Sequence, residues 1–168
     1  MGNETPSLIR AATAAELPEL TFRHPLNPQS EIHMRSLSAL AGLQRMGLHI
    51  GRVSPGRESF VYHYHHYEEE FIYILSGRGV AEIGEETHEV GPGDCMLFTA
   101  LSVGHHLRNP FDTDLVYLMG GENREFEIGE FPRLRKRAIF DKATGSAYII
   151  DAHAVQPFVP RSEEVSGT

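Results

Sequence analysis

One stretch of this chain, residues 55–79, limits what the rest can fold into. It reads PGRESFVYHYHHYEEEFIYILSGRG and contains His63, His65 and Glu70. Side chains in a strand alternate between two faces, so the two histidines should point the same way, together with Val61. Glu70 should arrive on the next strand. Imidazole and carboxylate ligands together suit zinc, iron, nickel, copper or manganese, so the stretch predicts part of a metal site.

A second stretch, residues 91–109, is the best candidate for the rest of the site. It opens with a Gly-Pro-Gly-Asp turn, continues through a short apolar strand at Cys95–Phe98, and ends with His105, His106 and Asn109. His105 is the candidate fourth ligand. Two segments so far apart meet in a jelly roll, which pairs strands that are distant in sequence.

The first stretch resembles the first signature of the cupin family. That signature is a glycine, then H-x-H, four residues, Glu, six residues and Gly. His63, His65, Glu70 and Gly77 match this spacing. Gly56 lies one residue further from the first histidine than the family pattern places it.

The second stretch resembles the second cupin signature, a Pro-Gly-Asp turn followed by His, three residues and Asn. The matching residues are Pro92, Gly93, Asp94, His105 and Asn109. The usual Pro-x-Gly between them is replaced by residues 99–101, Thr-Ala-Leu, and one extra residue precedes the histidine.

The resemblance implies an all-β fold, a double-stranded β-helix or jelly-roll cupin barrel with an N-terminal arm and a C-terminal extension. The implied bounds are 1–44 for an arm packing on the barrel or on a partner subunit, 45–122 for the barrel, 123–160 for the extension and 161–168 for a frayed tail. It also implies one divalent transition metal (Fe, Mn, Zn or Ni), held by His63, His65, Glu70 and His105.

Short apolar runs separated by glycine and proline turns predict roughly eight strands. The expected strands are 46–53, 59–66, 70–75, 80–83, 87–90, 95–99, 105–108 and 115–119, with a late one at 147–150. Residues 31–40 fit a strand followed by a short helix, and residues 11–16 fit a single helical turn.

Several residues near the proposed site have more than one interpretation. Glu68 shares the parity of Glu70 and is the alternative carboxylate ligand, whereas Glu69 should face away. His66 and His106 should lie on the face opposite the ligands. Cys95 is expected to be buried. The remaining histidines are expected to be ordinary polar residues: His24, His33, His49, His88 and His153. The basic run 133–137 either binds a phosphate or carboxylate, or forms a solvated strand edge.

Charge and composition narrow the possible partners. The net charge is -8 and the pI is about 5.6, which disfavours binding to nucleic acid or to an anionic membrane. The single cysteine excludes an intrachain disulfide and fits a reducing compartment, so a cytoplasmic location is expected. A homodimer is also expected, because small jelly rolls commonly cover their exposed edges by pairing.

Two functional hypotheses follow. In the first, the chain is a metal-dependent enzyme, either oxygen-dependent (a dioxygenase) or isomerising, that acts on a small polar molecule such as a sugar or a small carboxylic acid. In the second, the same pocket belongs to a non-catalytic module that binds or senses a small ligand. The family resemblance does not choose between them, because one fold hosts many functions.

Overall fold

The computed structural model describes residues 5–156, and most of its regular structure is β-strand. The N-terminal arm contains helix α1 (Ala11–Glu16), strands β1 (Leu20–Phe22) and β2 (Ile32–Ser36), and helix α2 (Leu37–Ala41). The expected strand followed by a short helix is therefore present. No helix within these residues is long and apolar enough to span a bilayer.

Eleven further strands follow the arm. Those of the predicted barrel are β3 (Met46–Val53), β4 (Tyr64–His65), β5 (Glu70–Ser76), β6 (Gly79–Ile83), β7 (Glu86–Val90), β8 (Cys95–Phe98), β9 (His105–Arg108) and β10 (Leu115–Glu122). The C-terminal segment adds β11 (Phe126–Phe131), β12 (Lys136–Asp141) and β13 (Ser146–Asp151), with short 3-10 turns at Pro132–Leu134 and Ala152–Ala154. The predicted tail, 161–168, lies outside the described residues.

The strands form three antiparallel sheets, in the orders β1-β2-β3-β10-β5-β8, β13-β12-β11-β4 and β7-β6-β9. Strand β10 lies between β3 and β5, both of which come much earlier in the chain. These long-range pairings are what a jelly roll requires, and the predicted jelly-roll β fold is confirmed.

One apolar core joins the six-stranded and three-stranded sheets. Its fully buried members include Ile32, Val53, Ile74, Leu115 and Tyr117, none more than 1% exposed. Burial of each such side chain contributes about 1.5–3 kcal/mol, so this core fixes the position of the two sheets.

The prediction of a strand at 59–66 is wrong in extent, because only Tyr64–His65 forms one. His63 joins the fold through an isolated bridge to His105, and the backbone carbonyl of Phe60 accepts a hydrogen bond from the Asn27 side chain instead of from a neighbouring strand. The alternation of side chains between two faces of a strand therefore does not apply to the residues before His63. Val61 packs against Phe131 and Ala138 in a second apolar cluster.

The prediction that Cys95 is buried is also wrong. Strand β8 forms the last strand of its sheet and buries Met96 and Phe98 on its inner face. Cys95 and Leu97 therefore lie on the outer face, and the thiol is exposed.

Strands β11 and β12 were not predicted, because their sequences do not alternate apolar and polar residues in the usual way. Strand β11 reads FEIGEF, and two of its buried residues are Glu127 and Glu130. Acidic residues are rarely buried without partners, so a sequence with glutamates at these positions does not predict a buried strand.

The first prediction concerns Gly51, whose missing side chain leaves room for the ring of Tyr117. A Cβ at this position would lie 2.7 Å from the ring. We expect Gly51→Ala to lower the free energy of unfolding by about 1–3 kcal/mol through overpacking. The matched control is Gly91→Ala, where a Cβ meets nothing within 4 Å, so stability should be unchanged or slightly raised. Urea denaturation measures both, and equal effects of the two substitutions would contradict the packing argument.

Candidate metal centre

The four proposed ligands come together in one cluster. One side-chain atom from each of His63, His65, Glu70 and His105 lies within 4.8 Å of the others. The Nε2 atoms of His65 and His105 are each 3.2 Å from the same Glu70 carboxylate oxygen. Three imidazoles thus surround one carboxylate, which is a donor set that a divalent transition metal accepts.

Backbone pairing between the two sequence signatures builds this cluster. The N–H of His63 donates to the carbonyl of His105 at 3.1 Å, and the reverse bond measures 2.8 Å. Glu70 begins β5 and pairs in register with Phe98 of β8, whose ring stacks on the His105 imidazole at 3.7 Å. Backbone pairing therefore holds His63, His105 and Glu70 next to one another.

A hydrogen bond on the far side of the His63 ring and an ion-pair contact on the far side of the His65 ring orient these two side chains. The Nδ1–H of His63 donates to the carbonyl of Val61 at 2.6 Å, which leaves its Nε2 lone pair for a metal. The Nδ1 of His65 lies 3.5 Å from a carboxylate oxygen of Glu127, an ion-pair distance. The Nδ1 of His105 has no hydrogen-bond partner among the described residues, so stacking on Phe98 orients this ring.

The electrostatics of the cluster follow from burial and from these contacts. Burial, reinforced by the neighbouring His105, lowers the pKa of His63 to about 3. Burial alone would lower the pKa of His65, but Glu127 and Glu70 outweigh it and raise that pKa to about 10. Burial would raise the pKa of Glu70, yet its hydrogen bonds with His105 and His65 hold it well below the usual range. The cluster thus keeps a carboxylate charged while buried.

This donor set fits a metal ion. Once a metal displaces the proton of His65, three imidazoles and one carboxylate fill four positions, and octahedral or five-coordinate metals retain sites for water or substrate. When bound, the metal would act as a Lewis acid on an oxygen of the substrate. That these residues hold a metal remains a prediction, and its identity depends on availability as much as on the ligands.

The alternative ligand, Glu68, belongs to a second group with His65 and Glu127. Its carboxylate oxygen accepts the backbone N–H of Arg124 at 2.6 Å and lies 3.2 Å from the Nζ of Lys142. Because Glu68 is committed to these donors, Glu70 is the better candidate ligand. Glu69, expected to face away, is exposed at the rim of the cavity described below.

Glu127 belongs to the candidate site and was not predicted from the sequence. It is only 2% exposed, and its carboxylate accepts the backbone N–H groups of His66, Tyr67 and Glu68 at 2.9, 3.2 and 2.9 Å. The same carboxylate faces His65. It therefore fixes the loop between two ligands and orients one of them. No spacing in the sequence marks it.

The signature residues that are not ligands shape turns. Gly77 has a φ of +79°, and a Cβ there would lie 2.1 Å from the carbonyl oxygen of Asp114, so only glycine fits. The buried Asn109 donates to the carbonyls of Val53 and Thr113, both at 2.8 Å, and ties its turn to β3. Asp94 accepts the N–H of Gly91 at 2.7 Å and closes the Gly-Pro-Gly-Asp turn.

The replacement of Pro-x-Gly affects the backbone conformation at Leu101. This residue takes the place of the family glycine and has a φ of +58°, in the left-handed region that disfavours side chains. Its N–H donates to the carbonyl of His65 at 2.7 Å. The loop therefore keeps the glycine-like conformation and still contacts the ligand strand.

A cavity of about 610 Å³ opens in front of the cluster and is lined by His63, His65 and Glu70. His24 and His49, expected to be ordinary polar residues, also line it, which corrects that expectation. The reason is that β3 turns His49 inward together with Gly47, leaving Leu48 on the other face. Burial lowers the pKa of both His24 and His49, so both imidazoles are neutral at pH 7.

The other candidate residues lie outside this cavity. The Nε2 of His66 is 3.2 Å from Glu130, and the Nε2 of His106 is 3.6 Å from Glu58, so both face away from the cluster as expected. The basic run forms ion pairs, with the partners Glu82 for Arg133, Asp151 for Lys136 and Glu130 for Arg137. None of these cations lines the cavity.

The second prediction is that metal affinity depends on the four clustered side chains. Glu70→Gln and His63→Ala should each lower zinc or manganese affinity by at least about tenfold, because each removes one ligand. The control is His88→Ala, which alters an exposed histidine on β7 and should keep full metal content. Elemental analysis and calorimetric titration measure the effect, and unchanged affinity in both ligand variants would refute the site.

The third prediction concerns Glu127. Glu127→Ala should destabilise the protein by about 1.5–3 kcal/mol or more, because three backbone donors lose a charged acceptor. It should also weaken metal binding by about 10–100-fold, since outer partners orient the ligands. Glu127→Gln keeps one acceptor oxygen and should fall between the wild type and Glu127→Ala in urea denaturation and metal titration. Wild-type metal affinity in a folded Glu127→Ala variant would contradict the orienting role.

Comparison with known proteins agrees with this geometry. Residues 49–121 match the family described as the Cupin domain, and no curated protein matches the chain. A structure from Acidithiobacillus ferrooxidans, provisionally named a sugar phosphate isomerase, is 29% identical with a TM-score of 0.85, covering 91% of this chain and 97% of that one.

Two further structures support the fold alone. A sugar phosphate isomerase of the cupin superfamily from Silicibacter pomeroyi is 24% identical with a TM-score of 0.74, covering 84% of this chain and 90% of that one. A predicted oxalate decarboxylase from Thermotoga maritima is 22% identical with a TM-score of 0.57, covering 65% and 95%. The chain therefore contains a cupin domain, which covers residues 49–121.

Proposed function

We propose that this chain is a metal-dependent enzyme that isomerises a small oxygen-bearing molecule. The observation that carries the proposal is the cluster of His63, His65, Glu70 and His105 facing a cavity of about 610 Å³. A partly buried donor set of this kind beside an open cavity is typical of a catalytic metal site, whereas a structural site fills all its positions with protein ligands.

The proposed cofactor is one divalent ion, Fe, Mn, Zn or Ni, and its part is to polarise a carbonyl or hydroxyl oxygen of the substrate. The chain itself must then move a proton between neighbouring carbons. His49 and His24 line the cavity, and burial lowers the pKa of each, so that each is a neutral base at pH 7. A positioned imidazole in that state is a suitable general base.

The similarity to the Acidithiobacillus ferrooxidans protein supports isomerising chemistry over oxygen-dependent chemistry. That protein is 29% identical over 91% of this chain, and its provisional name is an isomerase. The decarboxylase neighbour, at 22% identity, supports the fold and not a reaction. The alternative remains a module that binds or senses the same class of molecule without turnover.

The fourth prediction tests the proton transfer directly. The metal-loaded protein is incubated in D₂O with a panel of α-hydroxyaldehydes and α-hydroxyketones, and proton NMR follows exchange of the hydrogen next to the carbonyl. We expect exchange well above the buffer rate for at least one compound, and a loss of at least about 100-fold in His49→Gln. The control is His88→Gln, which should exchange at the wild-type rate.

The outcomes separate the two functions. Binding of a compound without exchange or product would refute the enzyme and favour the binding module. Oxygen uptake by iron-loaded protein without exchange would replace isomerisation with oxygen-dependent chemistry. Exchange that is equally fast in Glu70→Gln would show that the cluster takes no part.

We also propose that two copies of the chain form a homodimer and that the other partner is a small molecule. Strand β8 ends the six-stranded sheet and carries Leu97, which is 75% exposed. Unprotected edges with apolar side chains favour association. Sedimentation equilibrium across a dilution series tests this, and a monomer mass of 18.8 kDa at all concentrations would refute it.

A further inference from the structure

The described residues that line the cavity include no lysine and no arginine. Its charged side chains other than histidine are carboxylates. Glu70 belongs to the metal cluster, and Glu68, Glu69 and Glu122 lie nearer the mouth. In the metal-loaded protein, where His65 would be neutral, a site built in this way offers an anion no positive charge beyond the metal itself.

The walls of the cavity are largely apolar. Aromatic side chains form much of the lining, namely Phe22, Phe60, Phe131, Phe140 and Tyr148. Phe60 is 5.2 Å from Phe22, measured between ring centroids, and 6.1 Å from the His63 ring, so an aromatic surface runs up to the metal cluster. Tyr148 and Phe140 extend the same surface to the mouth, where both are partly exposed.

Two cations are held by carboxylates that line the cavity, and a third is held by a carboxylate outside it. Lys142 contacts Glu68 at 3.2 Å, and Arg124 donates to Glu122 at 2.9 and 3.0 Å. Arg137 behaves likewise, donating to Glu130 at 2.5 Å. Recruiting any of them to a ligand would leave a carboxylate without its partner.

These observations argue against a phosphorylated ligand. A phosphate group binds where arginine, lysine or several N–H donors converge on it. Moving it from water into apolar walls without such donors carries a large desolvation cost, and the carboxylates at the mouth add repulsion. An uncharged molecule with an apolar body avoids both penalties.

We infer that the cavity selects an uncharged small molecule with an aromatic or otherwise apolar body, whose one or two oxygen atoms face the His/Glu cluster, over sugar phosphates. The orientation of the oxygens rests on the proposed function, whereas the preference for an apolar body rests on the walls alone. Rings of the size of benzene fit the aromatic surface formed by Phe22 and Phe60. The chain thereby departs from the substrate class in the name of its 29% identical relative.

Two compounds with the same reactive group test the inference. 2-Hydroxyacetophenone and dihydroxyacetone phosphate share an α-hydroxyketone and differ in carrying a phenyl or a phosphate group. Calorimetric titration of the zinc-loaded protein at pH 7.5 should give at least about tenfold tighter binding of the phenyl compound. Equal affinities, or tighter binding of the phosphate ester, would overturn the inference.

A pair of variants places the bound compound in this cavity. Tyr148→Ser removes an aromatic wall at the partly exposed mouth and should weaken the phenyl compound about threefold or more. Tyr148→Phe keeps the ring and should bind it as the wild type does. Unchanged binding in a folded Tyr148→Ser variant would put the compound elsewhere and contradict the inference.

Repeating both titrations on metal-free protein separates this inference from the proposed function. If the protein binds no added metal and still prefers the phenyl compound, the metal-dependent enzyme is refuted and the ligand class stands. A bound metal together with a preference for the phosphate ester would refute the ligand class and leave the metal-dependent function standing.

Discussion

The rest of the structure depends on the contact between the partly buried Glu70 carboxylate and the three imidazoles around it. A charged group removed from water must be met by opposite charge or by donors, or it destabilises the fold. Here the donors are His65 and His105, each 3.2 Å from one carboxylate oxygen, and a metal would serve the same purpose. The three segments that meet at this carboxylate are the N-terminal approach to β4, the start of β5 and the start of β9.

Local packing explains why this arrangement holds its shape. The bridge between His63 and His105 links the two signatures, the Phe98 ring supports one imidazole, and Glu127 fixes the loop between His65 and Glu70. Glu127 comes from the C-terminal segment, which pairs with β4 through β11. That segment also supplies Phe131, Phe140 and Tyr148 to the cavity, so it contributes to the candidate site as well as to the fold.

Much of the fold was predictable from the sequence because the signatures combine turn residues with strand periodicity. Strands β3 and β9 have the predicted bounds, and the spacing of His63, His65 and Glu70 identified three residues that the structure brings together with His105. Periodicity failed where side chains from distant segments replace ladder hydrogen bonds, as at Phe60. It also failed where buried carboxylates interrupt an apolar pattern, as at Glu127 and Glu130. The inward position of His49 depends on which face of β3 is buried, which alternation alone cannot tell.

The most direct measurement is a crystal structure of the manganese- or zinc-loaded protein with anomalous diffraction at the metal edge. The account predicts a single strong peak about 2.0–2.3 Å from the Nε2 atoms of His63, His65 and His105 and from a carboxylate oxygen of Glu70. A peak between His65, Glu68 and Glu127, or no peak at the His/Glu cluster in loaded crystals, would contradict it.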